Sequence, residues 1–229
     1  MRIIFVRHGH PDYQKDCLTP LGLLQATAVA ERLLSENISE IFASSMGRAV
    51  QTAQQTAQRL SLPVQPLDFM REVRWGSEDG TTLEYGGHPW QTVAAMIGRG
   101  DSIRSTSWQE EEPFCHNLVR SHIARITTGF DAWLAQLGYV REGEHYRVVG
   151  DNTDRTVALF SHGGASTVVL SHLFGIPFPL LANAVRPNFT AVTVLKLSDA
   201  RGALVLPGIE ILNDDRHLGR PEIACEFGQ

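Results

Sequence analysis

A continuous apolar run of β-formers, Ile3 to Val6, lies near the start of the chain. Such a run predicts a strand buried on both faces, as in a parallel sheet. Thr19-Pro20 supplies an N-cap and a proline for the first helical position. The helix it opens should run from Pro20 to about Ser35, with Leu21, Leu24, Ala28 and Leu33 near one stripe. Ile38 to Ala43 reads as a second strand and Ser44-Ser45 as the next cap. Met46, Ala49, Val50, Ala53, Ala57 and Leu60 recur at helical spacing, so a helix should span Met46 to Leu60. Pro63 closes it, and Val64 to Leu67 reads as a third strand.

From Arg71 to about Pro113 the periodicity fades and glycines punctuate the chain, with one short helix predicted from Trp90 to Ile97. Residues 74 to about 114 read as an insertion, too glycine-rich to form a core of their own. A long amphipathic helix follows, about Phe114 to Leu137, closed by Gly138. A polar stretch, Arg141 to Asp154, leads into a strand at Thr156 to Ser161. Gly163-Gly164 opens a helix to about Phe174. Thr190 to Leu197 and Ala203 to Ile211 read as a closing hairpin turning near Asp199 to Gly202. Strands alternating with helices predict a three-layer α/β/α fold, its central sheet mainly parallel with an antiparallel edge strand.

A length of 229 residues fits one domain with an insertion, on a prior of roughly 150 residues per domain. Apolar residues at 43% and charged residues at 20% describe a globular chain rather than a disordered one. A net charge of −5 removes any global cationic field for nucleic acid or anionic lipid. Cys17, Cys115 and Cys225 are odd in number and form no Cys-x-x-Cys pair, so no disulfide framework is expected and a reducing cytoplasm is the natural compartment. No apolar stretch approaches the roughly 18 residues of a membrane span. The apolar run at Ile3 is too short for a signal peptide. Two lysines stand against eighteen arginines and nine histidines, which disfavours lysine chemistry.

In open α/β sheets ligands sit beyond the carboxyl ends of the strands. Three groups fall there: Arg7-His8-Gly9-His10, Ser44-Ser45-Met46-Gly47-Arg48 and Ser161-His162-Gly163-Gly164. Two arginines and two histidines converging on helix N-termini ask for an anion, and the arginine fork suits phosphate oxygens. Arg48 sits in a first helical turn, where a cation opposes the helix dipole unless an anion compensates it.

These three blocks, standing in this order, resemble the histidine phosphatase superfamily, the phosphoglycerate mutase-like fold. Thr19-Pro20-Leu21-Gly22, Arg71-Glu72-Val73-Arg74-Trp75-Gly76 and Asn188 to Val192 resemble further segments of that family. The resemblance implies a single domain over 1–229, with the insertion covering the active site. It implies that His8 attacks phosphorus and becomes a phosphohistidine. Arg7, Arg48 and His162, with Gly163, would hold the phosphoryl oxygens. Glu72 would protonate the leaving oxygen and then help activate water, with Glu78 and Glu84 as substitutes nearby. The implied activity is metal-independent hydrolysis of small phosphomonoesters, without cofactor.

The residue types fit that chemistry. Phosphoryl transfer spreads charge over three oxygens, so fixed cations supply much of the catalysis. Imidazole is substantially unprotonated near neutral pH, and an alkoxide leaving group needs a general acid. A mutase of the same fold and a catalytically idle phosphate- or phosphoprotein-binding module are the alternatives. His8-x-His10 has metal-ligand spacing, but Pro11 makes a ligand-bearing strand awkward and no metal is expected. Cys115 to Arg120 is one residue short of a cysteine-phosphatase loop and falls in the predicted helix, so Cys115 is read as core. His10-Pro11-Asp12-Tyr13-Gln14 and Ser77-Glu78-Asp79-Gly80 depart from the family pattern. His10, Tyr13, Arg74, Trp75, His88 and His116 are therefore only candidates to line the leaving-group side. Oligomeric state is open, a homodimer using Trp75, Trp90 and Trp108 being one option.

Overall fold

The computed structural model describes residues 1–151 and 154–219. Cys225 lies outside them. Chain order begins with β1 (Arg2–Arg7), a two-residue pair β2 (Pro11–Asp12) and β3 (Cys17–Leu18), α1 (Pro20–Leu33), β4 (Ile38–Ser44), α2 (Gly47–Leu60) and β5 (Val64–Leu67). It continues through α3 (Pro89–Arg99), α4 (Val119–Gln136), β6 (Tyr139–Glu142), β7 (His145–Val148), β8 (Thr156–Ser161), α5 (Gly163–Phe174) and α6 (Phe178–Ala184). β9 (Val192–Lys196), β10 (Leu204–Val205) and β11 (Gly208–Asp214) close it.

Six strands form the central sheet in the order β11-β9-β1-β8-β4-β5. β1, β8, β4 and β5 run parallel, and β9 runs against β1. β11 pairs antiparallel with β9, so the closing hairpin lies at one edge and its inner strand is the reversed one. Alternate residues of the buried strands feed two cores. Ile4, Val6, Ala158 and Phe160 pack with Val29, Leu33, Ala53 and Ala57 of α1 and α2. Ile3, Phe5, Val157 and Leu159 pack on the other face with Ile126, Phe130, Val168 and Val169 of α4 and α5. Fully burying one of the larger of these side chains stabilises the fold by about 1.5–3 kcal/mol. No helix among the described residues is long and apolar enough to cross a membrane.

The neighbours β1, β8 and β4 position the candidate site. Arg7 lies in register with Ser161 and Ala43 with Phe160, so the carboxyl ends of these three strands are side by side. The polypeptide leaves each as a site-bearing loop.

Several expectations need correction. α1 buries Gly22, Gln25, Ala26, Val29, Ala30 and Leu33, while Leu24 is exposed. The helix is turned by the loop after β1: Gln25 Oε1 accepts from His10 N at 2.8 Å, and a Cβ on Gly22 would meet the His10 carbonyl at 2.2 Å. α4 starts at Val119, whose N–H is capped by Asn117 Oδ1 at 3.0 Å, so Phe114 to Leu118 is a turn segment. The polar stretch from Arg141 holds the β6–β7 hairpin, which forms a three-stranded sheet with β10. Its apolar side is carried by Tyr139, Tyr146 and Val148. The second closing strand is thus split between β10 and β11. Trp108 is core, against Phe114 and Phe178.

Candidate active site

His8 follows β1 and is 1% exposed. Its Nδ1 lies 2.7 Å from the Gly9 carbonyl, an acceptor only, so Nδ1 carries the proton. Nε2 keeps its lone pair and accepts from Nε of Arg48 at 3.2 Å. Burial, and then the charge of Arg7, push the His8 pKa well below the ordinary histidine range. The imidazole is neutral, with its basic nitrogen directed at a guanidinium.

The loop backbone is clamped from three sides. Gly9 N donates to Thr52 Oγ1 at 3.1 Å. Thr190 N donates to the Arg7 carbonyl at 3.0 Å, from a left-handed backbone with φ 59°. A Cβ on Gly9 would meet the Gly22 carbonyl at 2.6 Å, so α1 and the loop touch through two glycines.

Arg48, in the first turn of α2, is 4% exposed. Its Nη1 donates to Asp16 Oδ1 at 2.6 Å, and Asp16 Oδ2 accepts from Gly47 N at 2.8 Å. The anion demanded by a cation at this helix start is therefore Asp16, carried in by the β2–β3 turn. Sequence reasoning missed it. The expected cap at Ser44-Ser45 is not the one formed: the N-cap is Met46, which makes no side-chain bond, Ser44 Oγ accepts from Met46 N at 3.3 Å, and Gly47 N is taken by Asp16 instead.

His162 precedes α5 and is fully buried. Its ring centroid is 5.1 Å from that of His8, its Nε2 shares a 2.8 Å hydrogen bond with Ser44 Oγ, and its Nδ1 is buried without a partner. Burial lowers its pKa well below the ordinary range, with His8, Arg48 and Arg7 adding to the effect. Arg7 is half-buried, donates from Nη1 to the Pro187 carbonyl at 2.6 Å and lies 4.1 Å over the Phe189 ring. Burial lowers its pKa, and its Nε has no partner.

Glu72 lies against the N-terminus of α5. Its Oε1 accepts from Ala165 N at 2.9 Å and Val73 N at 3.0 Å, and its Oε2 from Gly164 N at 3.3 Å. Burial raises its pKa above the usual carboxylate range, against the pull of these N–H groups and Arg7. Glu78 and Glu84 are exposed, and Glu84 pairs with Arg99 at 2.9 Å, so neither shares this position.

Beside these groups opens a cleft of about 490 Å³. Arg7, Glu72, Gly163 and Gly164 line it, as do Tyr13, Trp75, His88 and Trp90. His8, Arg48 and His162 lie buried and are not in its lining. His10, Arg74 and His116 are also outside the lining. His10 holds Thr19 Oγ1 at 2.9 Å through Nδ1 and serves the loop–helix junction. Arg74 is exposed. His116 binds Asp79 Oδ2 at 2.7 Å through Nδ1. Among the described residues, Glu112, Cys115 and His116 bring potential metal-ligand atoms within 4.8 Å of one another, and none of the three is in the cleft lining. Cys115 is half-buried there rather than core. Arg186, which sequence reasoning passed over, lines the cleft.

A family profile for the histidine phosphatase superfamily (branch 1) matches residues 3–137. The chain belongs to that superfamily. A glucosyl-3-phosphoglycerate phosphatase of Mycolicibacterium vanbaalenii is 28% identical over 192 residues, covering 77% of this chain and 75% of the relative. A probable phosphoglycerate mutase, GpmB of Proteus mirabilis, is 35% identical over 85 residues, 33% of this chain and 40% of the relative. Among solved structures, a mycobacterial glucosyl-3-phosphoglycerate phosphatase with inorganic phosphate aligns with TM-score 0.63 at 24% identity, covering 94% of this chain and 98% of that one. A phosphoserine phosphatase of Entamoeba histolytica with phosphoserine aligns with TM-score 0.63 at 20% identity, covering 95% and 98%. The fold of this chain is thus that of phosphoglycerate mutase-like proteins. Phosphatases recur among its relatives.

Proposed function

We propose that this chain hydrolyses phosphomonoesters in two steps through a phosphohistidine at His8. The observation that carries this is the His8 ring, bonded through Nδ1 to the Gly9 carbonyl, with Nε2 facing Arg48 at 3.2 Å and the His162 ring 5.1 Å away. Nε2 attacks phosphorus and forms the P–N bond as the P–O bond to the alcohol breaks. The proton for the leaving oxygen comes from Glu72, whose raised pKa favours the acid form. Glu72, now a carboxylate, takes a proton from water as the water attacks phosphorus. The P–N bond breaks, inorganic phosphate leaves, and His8 and Glu72 return to their starting states.

Arg7, Arg48 and His162 serve the phosphoryl oxygens. Phosphate dianion raises the proton affinity of His162, so the ring that is neutral in the free protein becomes a cationic donor on binding. Gly163 brings the N-terminus of α5 to the same place. The whole chain acts as one domain, and its insertion (74–114) walls the cleft through Trp75, His88 and Trp90. The named phosphatase relatives support hydrolysis over transfer.

The test is phosphate release from phenyl phosphate by wild type and His8→Ala, with intact-mass detection of a phosphorylated protein after rapid quench. Turnover should vanish with the mass increment in His8→Ala, and equal turnover by the two proteins would overturn the reading. Isomerised phosphoester in place of free phosphate would indicate a mutase, and tight phosphate binding without turnover an idle module.

A further inference from the structure

We infer that the cleft beside the phosphoryl site takes a leaving group built on a ring that carries a second anion. The inference rests on the phosphatase reading above, and it names the substrate class.

The cleft volume lies on the alcohol side of the chemistry. Arg7, Glu72, Gly163 and Gly164 belong to its lining, while His8, Arg48 and His162 are buried outside that lining. About 490 Å³ is far more room than a three-carbon alcohol fills, and lies within the range of small-molecule sites, about 300–1,000 Å³.

One wall is aromatic. Trp75 and His88 meet edge to face with centroids 4.5 Å apart, His88 and Trp90 at 5.7 Å, and Trp75 and Trp90 at 6.4 Å. Trp90 is braced on Phe178 at 6.3 Å, and the His88 Nδ1 accepts from Gln91 N at 3.4 Å as the cap of α3. The cluster is therefore held in shape before any ligand arrives. Trp75 is nevertheless 40% exposed, and Tyr13, also in the lining, 65%. Exposed aromatic surface converging on a cavity favours the flat face of a ring, whether aromatic or the C–H face of a sugar. Ala94, one turn into α3, leaves that wall without a bulky obstruction.

Cationic charge comes from Arg186, which also lines the cleft, next to the Pro187 whose carbonyl holds Arg7. Arg186 is exposed, donates weakly to Asn183 Oδ1 at 3.5 Å, and forms no ion pair among the described residues. Of the lining residues, Glu72 alone is acidic, and its oxygens are occupied by backbone N–H groups. Arg7 serves the phosphoryl group, so Arg186 is left for a second anion such as a carboxylate.

The experiment measures kcat/KM on phenyl phosphate, 3-carboxyphenyl phosphate, glucose 6-phosphate, glycerol phosphate and 3-phosphoglycerate, for wild type, Arg186→Met and Trp75→Ala. Both side chains are exposed, so these variants should fold. The carboxylated ring ester should exceed its uncharged counterpart about ten-fold, a ratio that Arg186→Met should bring close to one. Trp75→Ala should reduce the preference for ring over acyclic esters, and comparison of phenyl with glucose ester tells which ring face is preferred. Inhibition by inorganic phosphate, measured in parallel, reports on the phosphoryl site alone. Turnover with no ring or charge preference, or a ratio unmoved in Arg186→Met, would overturn the inference and leave the phosphatase reading standing. No turnover of any ester by wild type would remove both.

Discussion

Arg48 donates from Nε to Nε2 of His8 at 3.2 Å, so a guanidinium covers the nitrogen that attacks phosphorus in the proposed reaction. The contact fixes the direction of the lone pair in the free protein. It must also be exchanged for phosphoryl oxygens when a substrate arrives, and the planar fork lets the same group follow the charge from nitrogen to oxygen.

Arg48→Lys tests that exchange. Lysine keeps the charge, but as a point cation it cannot hold Asp16 while passing from His8 to a phosphoryl oxygen. The expected outcome is a fall in kcat of about a hundred-fold, as for loss of one preorganised transition-state donor. Single-turnover measurement of His8 phosphorylation would check it.

Asp16 performs two tasks that separate by substitution. Asp16→Asn keeps an oxygen for Gly47 N but removes the charge facing Arg48. Asp16→Ala removes both. Stability should fall by about 1 kcal/mol more in the alanine variant, the worth of a helix cap. Both variants should lose activity through misplacement of Arg48. Urea melts beside steady-state rates distinguish the two, and equal stability of the variants would deny Asp16 its capping role.

What the sequence made legible was local. The β1 run, Thr19-Pro20 and Gly163-Gly164 each carry their own reason for a strand or a helix start, and the elements appear where expected. Because the strand ends carry Arg7, Ser44 and Ser161, the convergence of Arg48, His8 and His162 was legible as well. What needed the folded chain was set by contacts between distant segments. α1 turns its small face inward because the loop after β1 packs on Gly22, an arrangement that larger leucines nearby conceal. Asp16 reaches α2 from the turn between β2 and β3, and Arg186 faces the cleft only after α6 has turned the chain back. His10 and His116 resembled lining residues because their types suit phosphate, yet each has a closer partner elsewhere.

Activity should depend on pH through His8 and Glu72 in opposite senses. In the proposed reaction His8 works unprotonated, and its lowered pKa keeps it so well below the ordinary histidine midpoint. Glu72 works protonated in the first step, and its raised pKa extends that form above the usual carboxylate range. The kcat/KM profile should therefore hold on the acid side and decline on the alkaline side as Glu72 loses its proton. Glu72→Gln should flatten the alkaline limb and lower kcat/KM, which reports the first step, much more for alkyl phosphates than for 4-nitrophenyl phosphate, whose leaving group needs no proton. An equal loss on both substrates would remove Glu72 from the acid role.

Stability should fall on acidification through His217. Its Nε2 bonds Thr190 Oγ1 at 3.0 Å, and its Nδ1 faces Arg32 Nη1 at 3.5 Å. Burial, then the charge of Arg32, lower its pKa to about 4, against opposing pulls from Asp214 and Asp215. The unfolded chain binds a proton there from about pH 6.5 downward. The folded chain resists, so the contribution is complete above that pH and lost as pH drops toward about 4. His8 and His162, also held neutral, act in the same direction. Melting temperatures across this window should decline less steeply in His217→Gln than in wild type. Because Thr190 holds the Arg7 carbonyl, loosening at His217 should reach the nucleophile loop.

The two glycines that open α5 differ in what they protect. A Cβ on Gly164 would meet Glu72 Oε1 at 2.6 Å, Val73 Cγ2 at 2.6 Å and Trp90 Cη2 at 2.9 Å. One on Gly163 would meet Arg7 Nε at 3.5 Å, an ordinary contact. Alanine at a helical position otherwise gains about 1 kcal/mol over glycine. Gly163→Ala should therefore leave the melting temperature unchanged or raised. Gly164→Ala should destabilise the fold by about 1–3 kcal/mol through overpacking, and it should displace the Glu72 carboxyl group proposed as the proton donor. Its rate loss should consequently follow the leaving group, large on alkyl esters and small on 4-nitrophenyl phosphate, reproducing the signature of Glu72→Gln in a protein that still has the glutamate. A loss independent of the leaving group would mean that Gly164 serves the phosphoryl oxygens instead.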